Sequence, residues 1–176
     1  MINEVKIFKY LNKIPRVDYA VFLAAGVKLI GDVTIGKGSS VWYNTVIRGD
    51  VNYVTIGERT NVQDLSMLHV TNQKFPLIIG NDVTIGHSVT LHGCVIHDSS
   101  FIGMGAIVLD GAIVESNSMV AAGAVVKEGF IVPAGKLVAG VPAKIIRDLR
   151  KEEMENISAS AVRYQKYAEL SEKSLK

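Results

Sequence analysis

The sequence predicts an all-β chain wound as a single-stranded parallel β-helix and followed by one C-terminal α-helix. Three observations carry this. From Leu29 to Val126 an aliphatic residue recurs at every sixth position. A small or β-branched residue often stands four places after that anchor: Ser39, Thr45, Thr60, Ser66, Val83, Val89, Ala106, Ala112, Ser118 and Ala124. Beyond Arg150 the apolar spacing changes to three and four. No helix has a period of six; a hexapeptide repeat means short strands and corners stacked in coils.

The elements follow in order. Residues 1–28 carry apolar residues at irregular spacing (Val5, Ile7, Phe8, Tyr10, Val17, Val21, Phe22, Leu23). We expect them to cap the first coil, whose open sheet edge would otherwise recruit other chains. The repeats begin with Leu29, Ile35, Val41 and Ile47, and continue through Ile56, Val62 and Leu68 after a slip of three residues. They resume at Ile79, Ile85 and Leu91, then run from Ile96 through Ile102, Val108, Val114, Val120 and Val126. Three sides make a coil of about 18 residues, so about five to six coils fit. The stretch Thr71 to Leu77 breaks the beat and contains Pro76, which predicts a protruding loop. Phe130 to Arg147 reads as a transition segment broken by Pro133 and Pro142, closing a β-helix over 29–147. Residues 148–176 read as a helix with one apolar stripe: Met154, Ile157, Ala161, Tyr164, Ala168 and Leu175, with Ser171 in the remaining slot.

Composition narrows the function. At 176 residues, 48% hydrophobic and 20% charged, the chain reads as one globular domain. A net charge of +2 provides no electrostatic reason to expect nucleic acid or an anionic membrane as partner. One cysteine, Cys94, forbids an intrachain disulfide and fits a reducing compartment. No apolar run with a basic flank and cleavage site stands near the N-terminus, so we expect a cytoplasmic protein.

Three of the four histidines fall on the lattice together. His69 and His92 each follow an anchor (Leu68, Leu91) on the same face, one coil apart. Anchors point inward, so these rings point outward, about 4.8 Å apart, where they can share a metal ion. His87 is the third residue of the preceding side, at a corner that a rigid prism cannot fold round to that face. A neighbouring prism could deliver it, which predicts a homotrimer with three shared sites. By the same register Arg48 lies one coil below His69, and Asp64, next to Gln63, one coil below His87; a polar column of this kind orients metal ligands. His97 begins no such column, and Cys94 reads as a small buried residue. Three neutral imidazoles on zinc leave a fourth position for water, whose pKa falls to about 7. The chemistry open to such a centre is hydration of CO2 or hydrolysis of an activated carbonyl.

The runs Arg48-Gly49-Asp50, Asn61-Val62-Gln63-Asp64, His69 and Ile85-Gly86-His87-Ser88-Val89-Thr90-Leu91-His92-Gly93-Cys94 together resemble the gamma-class carbonic anhydrase family. Gly103-Met104-Gly105-Ala106 and Gly140-Val141-Pro142-Ala143-Lys144 extend the likeness over almost the whole chain. The resemblance implies a left-handed β-helix, a C-terminal helix along it, and a homotrimer with metal at the subunit interfaces. It implies His69, His87 and His92 as metal ligands, with Zn2+ bound, or Fe2+ or Co2+, which imidazole also suits. It implies Arg48 and Asp50 as an ion pair near the interface and the bicarbonate, and Gln63 beside the metal-bound water. Asn61 then orients substrate, Asp64 is a further polar site residue, and Tyr164 approaches from the helix. The implied reaction is metal-hydroxide-dependent hydration of CO2 to bicarbonate.

One departure matters. The family's best-known members carry an acidic loop with a proton-shuttling glutamate, whereas here Val51-Asn52-Tyr53 follows Asp50 and the loop from Val70 to Leu77 holds no carboxylate. That predicts slow turnover. Two other readings remain open: an acyl-CoA thioesterase or hexapeptide acyltransferase, and a non-catalytic metal-binding trimer. The Arg48-Gly49-Asp50 triplet also spells an adhesion motif, a reading set aside without a secretion signal.

Overall fold

The computed structural model describes residues 4–174, and the stripe residue Leu175 lies outside them. Seven coils stack into a parallel β-solenoid. The first is β1 (Lys6–Phe8), β2 (Arg16–Val17) and β3 (Phe22–Leu23); the second is a long β4 (Lys28–Ile35) and β5 (Ser40–Val41). The third is β6 (Val46–Ile56) and β7 (Asn61–Val62), and the fourth β8 (Met67–His69), β9 (Leu77–Ile79) and β10 (Thr84–Ile85). Then come β11 (Thr90–His92), β12 (Val95–Ile96) and β13 (Phe101–Ile102), followed by β14 (Ile107–Val108), β15 (Ile113–Val114) and β16 (Met119–Val120). The last coil is β17 (Val125–Val126), β18 (Ile131–Val132) and β19 (Lys136–Ala139), after which β20 (Lys144–Asp148) turns back and α1 (Lys151–Ser174) closes the chain.

The leading segment is thus a coil in its own right: β1 and β2 lie parallel on β4, and β3 on β5. The other end differs from expectation. Phe130 to Arg147 is not a plain transition, because Val132 and Val138 keep the beat from Val126 and pair in register with Val114 and Val120. Only β20 departs, pairing antiparallel with β19. Pro133 directly follows the anchor Val132, at the end of β18, where no ladder is broken.

The period of six has a direct physical origin. Anchors from successive coils stack as an inward column, Leu29, Ile47, Leu68, Leu91, Val108 and Val126 on one side, all fully buried. Each such side chain contributes about 1.5–3 kcal/mol of burial. The residues four places later also point inward at the corners, and where they are hydroxylic they remain satisfied. Ser39 Oγ donates to the Gly57 carbonyl at 2.7 Å, Thr60 Oγ1 to Gly80 at 2.7 Å, Ser66 Oγ to Gly86 at 3.1 Å and Ser118 Oγ to Pro133 at 2.8 Å. Cys94 is likewise buried in this core, and burial pushes its thiol pKa well up.

Helix α1 lies on the β3–β5–β7–β10 face. Its buried residues are Ile157, Ser160, Ala161 and Ala168. Met154, expected in the apolar stripe, is exposed instead, in the first turn where the chain has just left β20. No helix among the described residues is long and apolar enough to cross a membrane.

Candidate metal centre

Parallel register brings His69 and His92 together. β8 and β11 pair Leu68 with Leu91 and His69 with His92, so the anchors go in and both imidazoles go out. The ring centroids are 5.0 Å apart, and His69 Nδ1 stands 3.1 Å from His92 Nε2. Arg48, on β6 one coil below, brings Nη2 to 3.5 Å from the same His69 Nδ1.

Each of the three histidines has its second nitrogen tied to a carboxylate. His69 Nε2 meets Asp50 Oδ1 at 3.1 Å, His87 Nδ1 meets Asp64 Oδ2 at 2.6 Å, and His92 Nδ1 meets Asp110 Oδ1 at 2.6 Å. An ionised carboxylate only accepts, so each ring donates there and its lone pair lies on the opposite nitrogen. Those lone pairs are on His69 Nδ1, His92 Nε2 and His87 Nε2. Two of them face each other across 3.1 Å, close enough to ligate one ion. Carboxylate-tethered imidazoles are donors suited to a transition metal. No three His, Cys, Asp or Glu side chains converge on one point among the described residues, so this pair fits such an ion only as part of a ligand set.

The electrostatics agree with that reading. Burial is the largest influence on His69 and holds its pKa below the ordinary imidazole value, outweighing the opposing pull of Asp50. The ring is therefore kept in the neutral, ligating form. For Asp50, burial pushes the carboxyl up, but hydrogen bonds from His69 and Arg48 and the charge of Arg48 bring it below the usual range. Arg48 and Asp50 form a direct ion pair, so the adhesion-like triplet is internally paired.

His87 occupies the corner after β10, and the third position of its hexad pairs it with Asp64 as the lattice predicts. It faces a cleft of about 410 Å³ lined by Trp42, Tyr43, Asp64, Tyr164 and Tyr167 among others. Tyr164 reaches this cleft from α1 and packs edge-on against Trp42, with ring centroids 5.5 Å apart. Burial, then the nearby Asp64 and Tyr167, push its phenol pKa up. His97 lies exposed beside β12, on the face that carries none of these groups.

Asn61 and Gln63 flank the anchor Val62 and point outward beneath α1. Gln63 Nε2 donates to Asn61 Oδ1 at 3.1 Å, Asn61 Nδ2 to Thr84 Oγ1 at 2.9 Å, and Thr84 Oγ1 to Ser160 Oγ at 3.0 Å. Asn61 is 1% exposed and Gln63 5%, so both amides are buried.

Sequence reasoning missed Asp110. It stands two residues after the anchor Val108, whose register partner is Leu91, and so falls one coil above the residue after His92. The rule that placed Asp64 under His87 aligns His92 with Leu109 and Asp110 with Gly93, so this diagonal pairing is not given by register.

Comparisons with known proteins follow the same line. Residues 93–128 match the family model described as bacterial transferase hexapeptide (six repeats). The chain is 46% identical over 164 residues to the carbonic anhydrase of Geobacillus kaustophilus, covering 92% of this chain and 90% of that one. It is 48% identical over 163 residues to the mitochondrial gamma carbonic anhydrase 1 of Arabidopsis thaliana, covering 90% of this chain but 59% of the relative's length. A solved structure from Bacillus cereus, described as an acetyltransferase, superposes with a TM-score of 0.94 at 42% identity, covering 98% of this chain and 99% of that one.

Proposed function

The chain belongs to the gamma carbonic anhydrase family, and from that premise we propose that it hydrates CO2 reversibly to bicarbonate at metal sites shared between the subunits of a cytoplasmic homotrimer. The observation that supports this most is the convergence of His69 Nδ1 and His92 Nε2 at 3.1 Å, each ring tethered by a carboxylate at its other nitrogen. His69 and His92 of one subunit and His87 of the next are the ligand set. Zinc is the reference ion for three imidazoles, and iron(II) or cobalt(II) suits the same donors. When bound, the ion supplies Lewis-acid activation of water near neutral pH, chemistry for which the three-histidine site of carbonic anhydrase is the standard case.

The chain's own residues supply the rest. Asp50, Asp64 and Asp110 hold the three rings in the tautomer that leaves the ligating nitrogen free. Arg48, steadied by Asp50, places a positive charge beside the histidine pair and attracts the bicarbonate anion. Gln63 presents its amide next to Asp64 to orient substrate, and Asn61 acts on substrate through Gln63, anchored in turn by Thr84 and Ser160. Trp42 and Tyr164 give the cleft beside His87 an apolar wall that suits CO2. The 70–77 loop offers no carboxylate, so the released proton leaves to solvent buffer and turnover is slow.

Stopped-flow CO2 hydration with metal content determined on the same anaerobically purified sample tests this. Hydration that disappears in His92→Ala, together with about one ion per subunit in the unsubstituted protein, is the expected result. Stoichiometric metal without hydration would overturn it. The likeness to the Bacillus cereus protein supports a second reading, acyl-group transfer or acyl-CoA thioester hydrolysis in the same cleft, which turnover of acetyl-CoA would show. Bound metal with neither activity would leave a non-catalytic metal-binding trimer.

A further inference from the structure

The insertion that breaks the six-residue beat is expected to protrude, and its tip at 72–74 is exposed. Its two ends, however, turn back onto the metal centre. Thr71 and Phe75 close a short antiparallel bridge, with Thr71 N donating to the Phe75 carbonyl at 2.9 Å. Thr71 Oγ1 donates to Asp110 Oδ2 at 2.6 Å, while the other oxygen of that carboxylate accepts from His92. The insertion is rooted beside the second ligand as well: Asn52 Nδ2 donates to the Thr71 carbonyl at 3.1 Å, and Gln73 N to the Val51 carbonyl at 3.3 Å, next to the Asp50 that holds His69.

Phe75 supplies the packing. A Cβ on Gly93 would come within 2.5 Å of Asp110 Oδ1 and 2.8 Å of Phe75 Cβ, and one on Gly111 within 3.0 Å of the Phe75 ring. The residues that follow His92 and Asp110 are therefore both glycines against which the Phe75 side chain packs. Lys74 lies over that ring, 4.8 Å from its centroid.

We propose that the 71–75 insertion is a clasp for His92: Thr71 is a positioning residue that fixes the Asp110 carboxylate, which fixes the His92 ring, while Phe75 packs the insertion onto Gly93 and Gly111 beside them. This rests on the reading of His92 as a ligand. The Asp64–His87 and Asp50–His69 pairs are set by strand register or by a neighbouring arginine. The Asp110–His92 pair alone is gripped by a segment that the repeat does not require.

Cobalt(II) binding to the intact protein tests it, read by affinity and by the visible absorption of the bound ion. Thr71→Val keeps the shape and removes the donor; Thr71→Ser restores the donor; Asp110→Asn is an independent variant. We expect Thr71→Val and Asp110→Asn to weaken binding by about 10–100-fold and to alter the cobalt spectrum, with Thr71→Ser close to the unsubstituted protein. Thr71→Val binding as tightly and with the same spectrum, while His92→Ala loses the ion, would overturn the clasp and leave the metal site standing. Thr71→Ser weakened as much as Thr71→Val would overturn it too, since the hydroxyl would not be the cause. Equal binding by the unsubstituted protein and His92→Ala would remove the metal reading itself, and the clasp with it.

Discussion

His69 Nδ1 and His92 Nε2 stand 3.1 Å apart on adjacent coils, in a register fixed by the pairing of Leu68 with Leu91. Because the two lone pairs converge only with both rings present, His69→Ala and His92→Ala are each expected to lower metal content below half of that in the unsubstituted protein. His97→Ala, on another face, leaves it unchanged. Elemental analysis of the purified protein checks all three.

Gly93 has φ of +52°, and a side chain there meets both Asp110 and Phe75. Gly93→Ala is expected to destabilise the fold by about 1–3 kcal/mol through backbone strain alone. It also displaces the carboxylate that holds His92, so metal affinity falls with the melting temperature. Calorimetry with and without added zinc separates the two effects: strain lowers both melting curves, while lost affinity shrinks the zinc-induced shift.

The buried chain from Gln63 to Ser160 links the site to the helix. Asn61→Ala leaves the Thr84 hydroxyl and the Gln63 amide short of a partner, at a cost of about 1–3 kcal/mol. It should therefore lower both stability and CO2 hydration. Gln63→Ala takes the donor from the buried Asn61 Oδ1 and is expected to lower both as well. Urea midpoints measured beside stopped-flow rates check the two variants.

Glu153 provides a pH test remote from the metal. It accepts from Arg147 at 2.7 and 2.8 Å, from the Arg150 side chain at 2.9 Å, and from the Arg150 amide at 2.8 Å. These bonds, those from Arg147 first, hold its carboxyl far below the ordinary value. The folded pKa is thus depressed relative to the unfolded one, near 4.3. The stabilisation is fully present above that value and is lost as pH falls through the folded pKa. The gap in melting temperature between the unsubstituted protein and Glu153→Gln is expected to be widest near neutral pH and to narrow below about pH 4.

Leu91 tests the core beneath the site. It is completely buried, flanked in its column by Leu68 and Val108. Leu91→Ala is expected to cost about 2–5 kcal/mol, measured by denaturant unfolding.

Much of this protein was legible from its sequence because a six-residue lattice converts position directly into place. The inward column of Leu29, Ile47, Leu68 and Leu91, the alignment of His69 with His92 and the placing of Asp64 beneath His87 all follow from counting anchors. The same counting stopped short where breakers suggested an end: Pro133 seemed to close the repeat, yet Val132 and Val138 carry it one coil further. Met154 was misplaced because the stripe takes no account of where α1 begins to touch the sheet.

By itself, then, the sequence determined the solenoid, the faces its histidines occupy and the polar residues in register with them. These depend on short-range periodicity and on the constant spacing of stacked strands. Only the tertiary structure decided that each imidazole is tethered by a carboxylate and that Asn61 is roofed by α1 and bonded through Thr84 to Ser160. It also decided that the off-beat insertion reaches back through Thr71 to Asp110 and through Phe75 to Gly93 and Gly111. Those contacts join residues as far apart as Thr71 and Asp110, or Thr84 and Ser160, through side-chain hydrogen bonds and packing. No repeat encodes such contacts, because they arise where the chain leaves its lattice and folds back upon it.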